Sequence, residues 1–304
     1  MPIVVYHYVR DRKTGGFNLK SVNLKDFKKQ IKFILDHYRV IGLGDFIDQK
    51  NKDYILKKYI SLTFDDGVAD HFTNVFPVLT SNKVRATFFP IGCVFGGIVP
   101  ATIKMHVIFS KSNERSVSDT LVSYLKGCYP ARFRDFNVSS KRRINNQKRL
   151  KDTVLTANLK QVLAGLPVEV KNGFIDPLFK KMVRDEKKFL TDFFMTPSQL
   201  KEMRKKGMEI GSHGYSHTSL KSLDEESQFD DIVESKKTIE SVIGADIRCF
   251  SYPFGDYNQH TIRILGKSGF KYGVAYNHGK FSEKDHSLTV SAGNYEDFFK
   301  TIKT

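Results

Sequence analysis

The sequence predicts an α/β protein built on a parallel sheet. Three observations carry this: short β-branched and aromatic runs recur along the chain, amphipathic stretches of helical period separate them, and those stretches tend to close on glycine. At 304 residues the chain suits one α/β barrel with an insertion, or two domains. A hydrophobic fraction of 40% and an aromatic fraction of 12% are enough to bury a real core, which excludes a disordered or fibrous chain.

The first run, PIVVYHY at 2–8, predicts a strand. LKDFKKQIKFILDHY then sets Leu24, Phe27, Ile31, Ile34, Leu35 and Tyr38 on one helical face, with Asn23 as N-cap. YISLTF (59–64), RATFFPIG (85–92), MEIGSH (208–213), RCFSYP (248–253) and KYGVAY (271–276) predict further strands. PSQLKEMRKKG, ESQFDDIVESKKTIESVIG and NQHTIRILGKSG predict helices between the later ones.

Residues 93–195 break this rhythm. Helical patterns such as VSDTLVSYLKG and NLKQVLAGL dominate there, and 19 Lys and Arg against 9 Asp and Glu carry +10 of the chain's net +16. The expected organisation is therefore a barrel or sheet unit over 1–92 and 196–304, interrupted by a basic helical insertion at 93–195. Such a charge calls for an anionic partner. Nucleic acid is not favoured, because the run KRRINNQKRLK at 141–151 has no interleaved aromatics on which bases could stack. The plain reading of such a run is a solvated helix face; the functional reading is adhesion to anionic lipid headgroups, each nearby Lys or Arg being worth about 1 kcal/mol, and an acidic glycan or nucleotide-sugar is equally compatible.

Three cysteines, Cys93, Cys128 and Cys249, form no C-x-x-C pair and support neither a disulfide framework nor a cysteine zinc site. They read as buried thiols in a reducing compartment. The first apolar run is too short for a signal peptide, and no stretch of 18 apolar residues occurs. The expected location is cytoplasmic, with peripheral contact at the inner membrane face.

Two local patterns carry chemistry. SLTFDDGVAD places Asp65 and Asp66 at the end of a strand, where α/β proteins hold their active sites, and Gly67 permits a tight turn. Neighbouring residues of an extended strand point to opposite sides, so two carboxylates that both reach a site require a strand already turning. MEIGSHGYSH offers His213 and His217, and Gly211 and Gly214 favour a loop that curls back so that both rings meet one ion. One Asp with two His leaves a coordination position open for water, the mark of a catalytic metal site. The ion lowers the pKa of that water and polarises a carbonyl, and the second carboxylate can serve as general base.

TFDDG at 63–67, H-x-x-x-H at 213–217 and FSYPFG at 250–255 resemble, in order and context, the motifs of NodB-type polysaccharide deacetylases, carbohydrate esterase family 4. The resemblance implies a distorted (β/α) barrel. It implies Asp65 as catalytic base, Asp66, His213 and His217 as ligands of Zn2+ or another divalent transition metal, and removal of acetate from an N-acetylated amino sugar.

The departures are informative. Where the family often carries an arginine against the base, Ser251 stands here, and Arg248 lies three residues before it. The remaining role for this loop is its backbone, with the amide of Phe254 completing an oxyanion hole. Tryptophan is absent, so the tryptophan-bearing motif is missing, as is a late Leu-x-His that would supply the general acid. His7, at the end of the first strand, takes that role by resemblance to the circularly permuted poly-N-acetylglucosamine deacetylases. His278 is the second choice.

The leading expectation is thus a metal-dependent de-N-acetylase acting on a polysaccharide or a lipid-linked glycan precursor. Two alternatives remain: a hydrolase of a non-sugar amide or cyclic imide, and an inactive relative that binds glycan or lipid.

Overall fold

The structure, a computed structural model, describes residues 3–11, 16–48, 58–136, 138–142, 144, 152–276 and 286–302. The apolar run around Thr63 becomes the longest strand, β3 (Tyr59–Asp66), two residues longer than its pattern predicts. It pairs in parallel with β1 (Ile3–Tyr6) on one side and β4 (Thr87–Pro90) on the other. A short strand, β2 (Arg39–Val40), pairs with the start of β3 outside the main path. Beyond β4 lies β5 (Glu209–Ile210). Beyond β1 lie β8 (Val290–Asn294), β7 (Tyr272–Tyr276) and β6 (Cys249–Ser251), giving the order β5-β4-β3-β1-β8-β7-β6.

The two ends of that path meet. Ser212, just past β5, bridges Phe250 of β6 in parallel, its N–H donating to the Cys249 carbonyl at 3.0 Å and its carbonyl accepting from Ser251 N at 2.8 Å. The result is a nearly closed parallel barrel of the (β/α) type.

Alternation along the strands divides the core. Ile3, Val5, Phe89, Cys249, Val274, Val290 and Ala292 pack together in the barrel interior. Val4, Tyr6, Ile60, Leu62, Phe64 and Phe88 face outward into a larger core built with the helices. Helix α1 (Leu24–His37) buries Phe27, Ile31 and Ile34, and Asn23 caps it by accepting the Asp26 N–H at 2.8 Å. Leu35, assigned to the same face, is exposed instead. The short helices α2 (Leu43–Asp48) and α3 (Phe76–Ser81) follow β2 and β3. α9 (Pro197–Lys205), α10 (Glu225–Ile243) and α11 (Gln259–Lys267) occupy the predicted segments, and Gly244 terminates α10 in the left-handed region at φ 68°. α12 (Tyr295–Ile302) follows β8.

The sequence pattern did not reveal β8. LTVSAGN is short and carries small polar residues at alternate positions, so it lacks the apolar signal of the other strands. It becomes a strand because β1 and β7 offer pairing edges on both sides.

Residues 1–11, 21–98 and 187–304 make one compact unit, and residues 12–20 and 99–186 a second. The second is helical: α4 (Ala101–Lys111), α5 (Glu114–Cys128), α6 (Val154–Gly165) and α7 (Val168–Met182), with α8 (Glu186–Phe193) starting at its end. Ile103, Val107, Leu121, Leu125, Leu159, Leu163, Ile175 and Phe179 are buried there. Asn158 is buried among them, donating to the carbonyls of Ser139 and Arg142 and accepting from Ile144 N. Of the basic run 141–151, residues 143 and 145–151 lie outside the described residues, and Lys141 and Arg142 are exposed.

All three cysteines are free thiols. Cys93 and Cys249 are buried as expected, but Cys128 is exposed, at the C-terminal end of α5. Among the described residues no helix is long and apolar enough to cross a membrane.

Candidate active site

Asp65 follows Ser61 and Thr63 on the interior-facing side of β3. Asp66 should then face outward. It does not, because its backbone turns into the left-handed region at φ 76°, which brings both carboxylates to the barrel rim. Gly67 continues at φ 69°, and a Cβ there would lie 2.6 Å from Pro90 Cα, so only glycine fits this turn.

The histidines arrive on the loop after β5. His213 N donates to the Pro90 carbonyl at 3.1 Å, anchoring the loop to the end of β4. Gly214 adopts φ 74° and His217 φ 56°, so the segment curls back. The Asp231 carboxylate on α10 holds that curl, accepting from the N–H groups of Tyr215 and Ser216 at 2.8 Å each and from the Ser216 hydroxyl. The imidazole centroids of His213 and His217 end 4.7 Å apart.

Three ligand atoms converge. Asp66 Oδ1 lies 3.2 Å from His217 Nε2 and 3.7 Å from His213 Nε2, and all three residues are buried. His213 Nδ1–H donates to the Ser251 carbonyl at 2.7 Å, which leaves Nε2 as the lone-pair nitrogen facing the carboxylate. Burial lowers the His213 pKa to about 4, so the ring is neutral near pH 7. Burial alone would raise Asp66, yet contact with His217 and the nearby rings of His7 and His213 hold it well below the usual carboxylate range. A carboxylate oxygen and an imidazole lone pair aimed at one point are mutually repulsive without a cation between them. The set fits a divalent transition ion.

Asp65 stands beside this centre, with Oδ2 3.9 Å from His213 Nε2. The Ser251 hydroxyl donates to that Oδ2 at 3.1 Å, while Oδ1 is buried with no hydrogen-bond partner among the described residues. Burial pushes the Asp65 pKa up to about 6. His7 and the Ser251 hydroxyl oppose that rise, and the Asp66 charge adds to it.

His7 lies one residue past β1. Because Tyr6 pairs with Phe64, the next step of the register sets His7 beside Asp65, and its ring is exposed in an otherwise buried segment. Phe254 follows β6 on the turn Pro253–Gly255 at φ 62°, its ring 5.1 Å from the His217 imidazole. Arg248 is exposed at the opposite end of β6. His278 lies outside the described residues.

Sequence reasoning missed two contributors. The sequence marks Ser251 only as the replacement of an arginine, and its contact with Asp65 joins β6, at one end of the sheet path, to β3 in its middle. Asp231 sits among the charges of a solvated helix, and its one signal is burial on the side that α10 turns inward.

The sequence profile of the family described as polysaccharide deacetylase matches residues 53–106 and 174–273, just over half of the chain. A Bacillus subtilis protein, YxkH, named as a polysaccharide deacetylase, is 32% identical over 104 residues, 33% of this chain and 37% of its own. The chain thus spans little more than a third of that curated relative. The solved deacetylase PplD of Streptococcus pyogenes superposes with a TM-score of 0.60 at 18% identity, covering 100% of this chain and 98% of that one. The BpsB deacetylase domain of Bordetella bronchiseptica gives 0.54 at 17%, covering 96% and 94%. At these identities the solved structures share the fold, while the profile match adds the lineage: the chain belongs to the polysaccharide deacetylase family.

Proposed function

We propose that this chain is a metal-dependent de-N-acetylase that hydrolyses the acetamide of an N-acetylated amino sugar in a glycan or glycan precursor. The observation that carries this reading is the convergence of Asp66 Oδ1 with two imidazole Nε2 atoms beside an Asp65 that keeps one oxygen unclaimed.

Asp66, His213 and His217 would hold Zn2+ or another divalent transition metal. When bound, such an ion supplies Lewis acidity at a carbonyl oxygen and a lowered pKa for water. Asp65 accepts the proton of the attacking water, its other oxygen kept in place by Ser251. The Phe254 N–H donates to the developing oxyanion, in a turn whose dihedral angles Pro253 and Gly255 hold. The tetrahedral intermediate then collapses, its C–N bond breaking as His7 gives a proton to the nitrogen. Acetate and a free amine leave.

Residues 93–195 are assigned as a basic insertion in the deacetylase barrel of 1–92 and 196–304. Its charge supports contact with an anionic membrane surface, and with it a cytoplasmic enzyme acting on a lipid-linked sugar at the inner face.

The test uses two substrates on one preparation. Acetate release from a chito-oligosaccharide should require added divalent metal. His7→Ala should retain metal and lower kcat on the acetamide by roughly 10²- to 10⁴-fold, and should harm an activated ester, whose leaving group needs no proton, far less. No metal-dependent acetate release from any N-acetylated sugar overturns the reading. Undiminished amide turnover in His7→Ala moves the acid role to His278 or to water.

A further inference from the structure

β1 stops pairing with its sheet neighbours at Tyr6, and the chain that follows is held by side chains on one flank and by a backbone bridge to Val22 on the other. The segment after Gly67 supplies them. Asp70 and His71 lead into a widened turn, His71–Val75, in which the Phe76 N–H reaches back to the His71 carbonyl. The His71 Nε2–H donates to the His7 carbonyl at 2.6 Å. Asp70 Oδ2 accepts from Val9 N at 3.2 Å and from Arg10 Nε at 2.6 Å, and Arg10 closes a second bond to Asp70 Oδ1. The Asn74 amide donates to the Val9 carbonyl at 2.8 Å.

On the other flank Val22 accepts from Arg10 N and donates to the Tyr8 carbonyl, and the Ser21 hydroxyl donates to the Arg10 carbonyl. The Arg10 guanidinium lies 4.9 Å above the Phe193 ring, and both Arg10 and Asp70 are at most 5% exposed. Tyr8, Val9 and Arg10 are buried, and the His7 side chain is the exposed one of the four.

A strand end that needed only to be solvated would leave these groups to water. Three side chains from a single turn instead fix the carbonyl of His7 and the two residues after Tyr8. We propose that Asp70, His71 and Asn74 act as a positioning clamp, holding the His7–Arg10 backbone so that the His7 ring stands at the rim beside Asp65, in register to protonate the leaving amine. This rests on the reading of His7 as proton donor. A donor displaced by an ångström or so transfers its proton poorly, so the clamp should appear in kcat and not in substrate binding.

The test is a double-mutant cycle with the metal-loaded full chain. Asp70→Asn keeps an acceptor for Val9 N but loses the charge opposite Arg10, and Asn74→Ala removes one hydrogen bond at a half-buried position where folding is not at stake. Each should lower kcat for the acetamide, by roughly 10- to 100-fold for Asp70→Asn and 3- to 10-fold for Asn74→Ala, with KM and metal content within about twofold. An activated ester should lose less. In a His7→Ala background both substitutions should become nearly silent.

The clamp is overturned if His7→Ala is impaired while folded Asn74→Ala and Asp70→Asn are not, or if their losses persist undiminished without His7. If His7→Ala itself costs nothing on the amide, the donor assignment has failed, and the clamp's purpose falls with it.

Discussion

Ser251 and Asp65 are 186 residues apart in the chain and 3.1 Å apart in the fold, hydroxyl to carboxylate. The donor to this buried carboxylate is a neutral hydroxyl. Burial raises the Asp65 pKa and this neutral hydroxyl offsets only part of the rise, while His217 holds Asp66 low, so Asp65 stays the more basic of the two aspartates.

Ser251→Ala should therefore slow turnover without loss of metal. Removing one hydrogen bond to a charged group costs about 1.5 kcal/mol, or roughly tenfold in kcat. Steady-state kinetics on the acetamide with parallel metal analysis decides it, and an unchanged kcat would deny Ser251 any part in holding the base.

The ligands and the base should separate by substitution. Asp66→Ala, His213→Ala and His217→Ala each remove one of three converging atoms and should lose bound metal together with activity. Asp65→Asn should keep the metal and lose turnover by at least 10²-fold. Elemental analysis beside kinetics reads both, and near-wild-type rates in metal-loaded Asp65→Asn would remove Asp65 from the base role.

His71 should make the fold acid-sensitive. Burial lowers its pKa from 6.5 to about 4, so the folded protein keeps it neutral while the unfolded chain protonates it. Its contribution is intact above about pH 6.5 and is lost as pH falls towards 4, by up to roughly 3 kcal/mol. Urea denaturation across that window should show a shallower acid-side loss for His71→Gln than for the parent. Equal slopes would place the acid sensitivity elsewhere.

The basic run should govern surface binding and not chemistry. Charge-neutralising residues 141–151 should weaken sedimentation with anionic vesicles, by up to about 1 kcal/mol per Lys or Arg removed, and leave turnover of a small soluble substrate intact. Vesicle binding that is absent from the start, or unmoved by the change, leaves the insertion a structural role.

What the sequence determined by itself is local. Periodicity placed the six strands and four helices it identified in the barrel unit to within a few residues, because period 2 and period 3.6 are properties of adjacent residues. The residue types also singled out the side chains that the fold brings together: Asp65 and Asp66 before a glycine, and two histidines four apart among glycines. The tertiary structure decided what depends on partners remote in the chain. β8 exists because two strands leave it edges to pair with, and the barrel closes through Ser212 and Phe250. Asp66 joins the site because its backbone turns left-handed where β3 meets Pro90, which no alternation rule anticipates. Ser251 on Asp65 and Asp70 on Arg10 are contacts across 186 and 60 residues. A sequence pattern records what each side chain prefers, and only the closed barrel settles which distant side chain it meets.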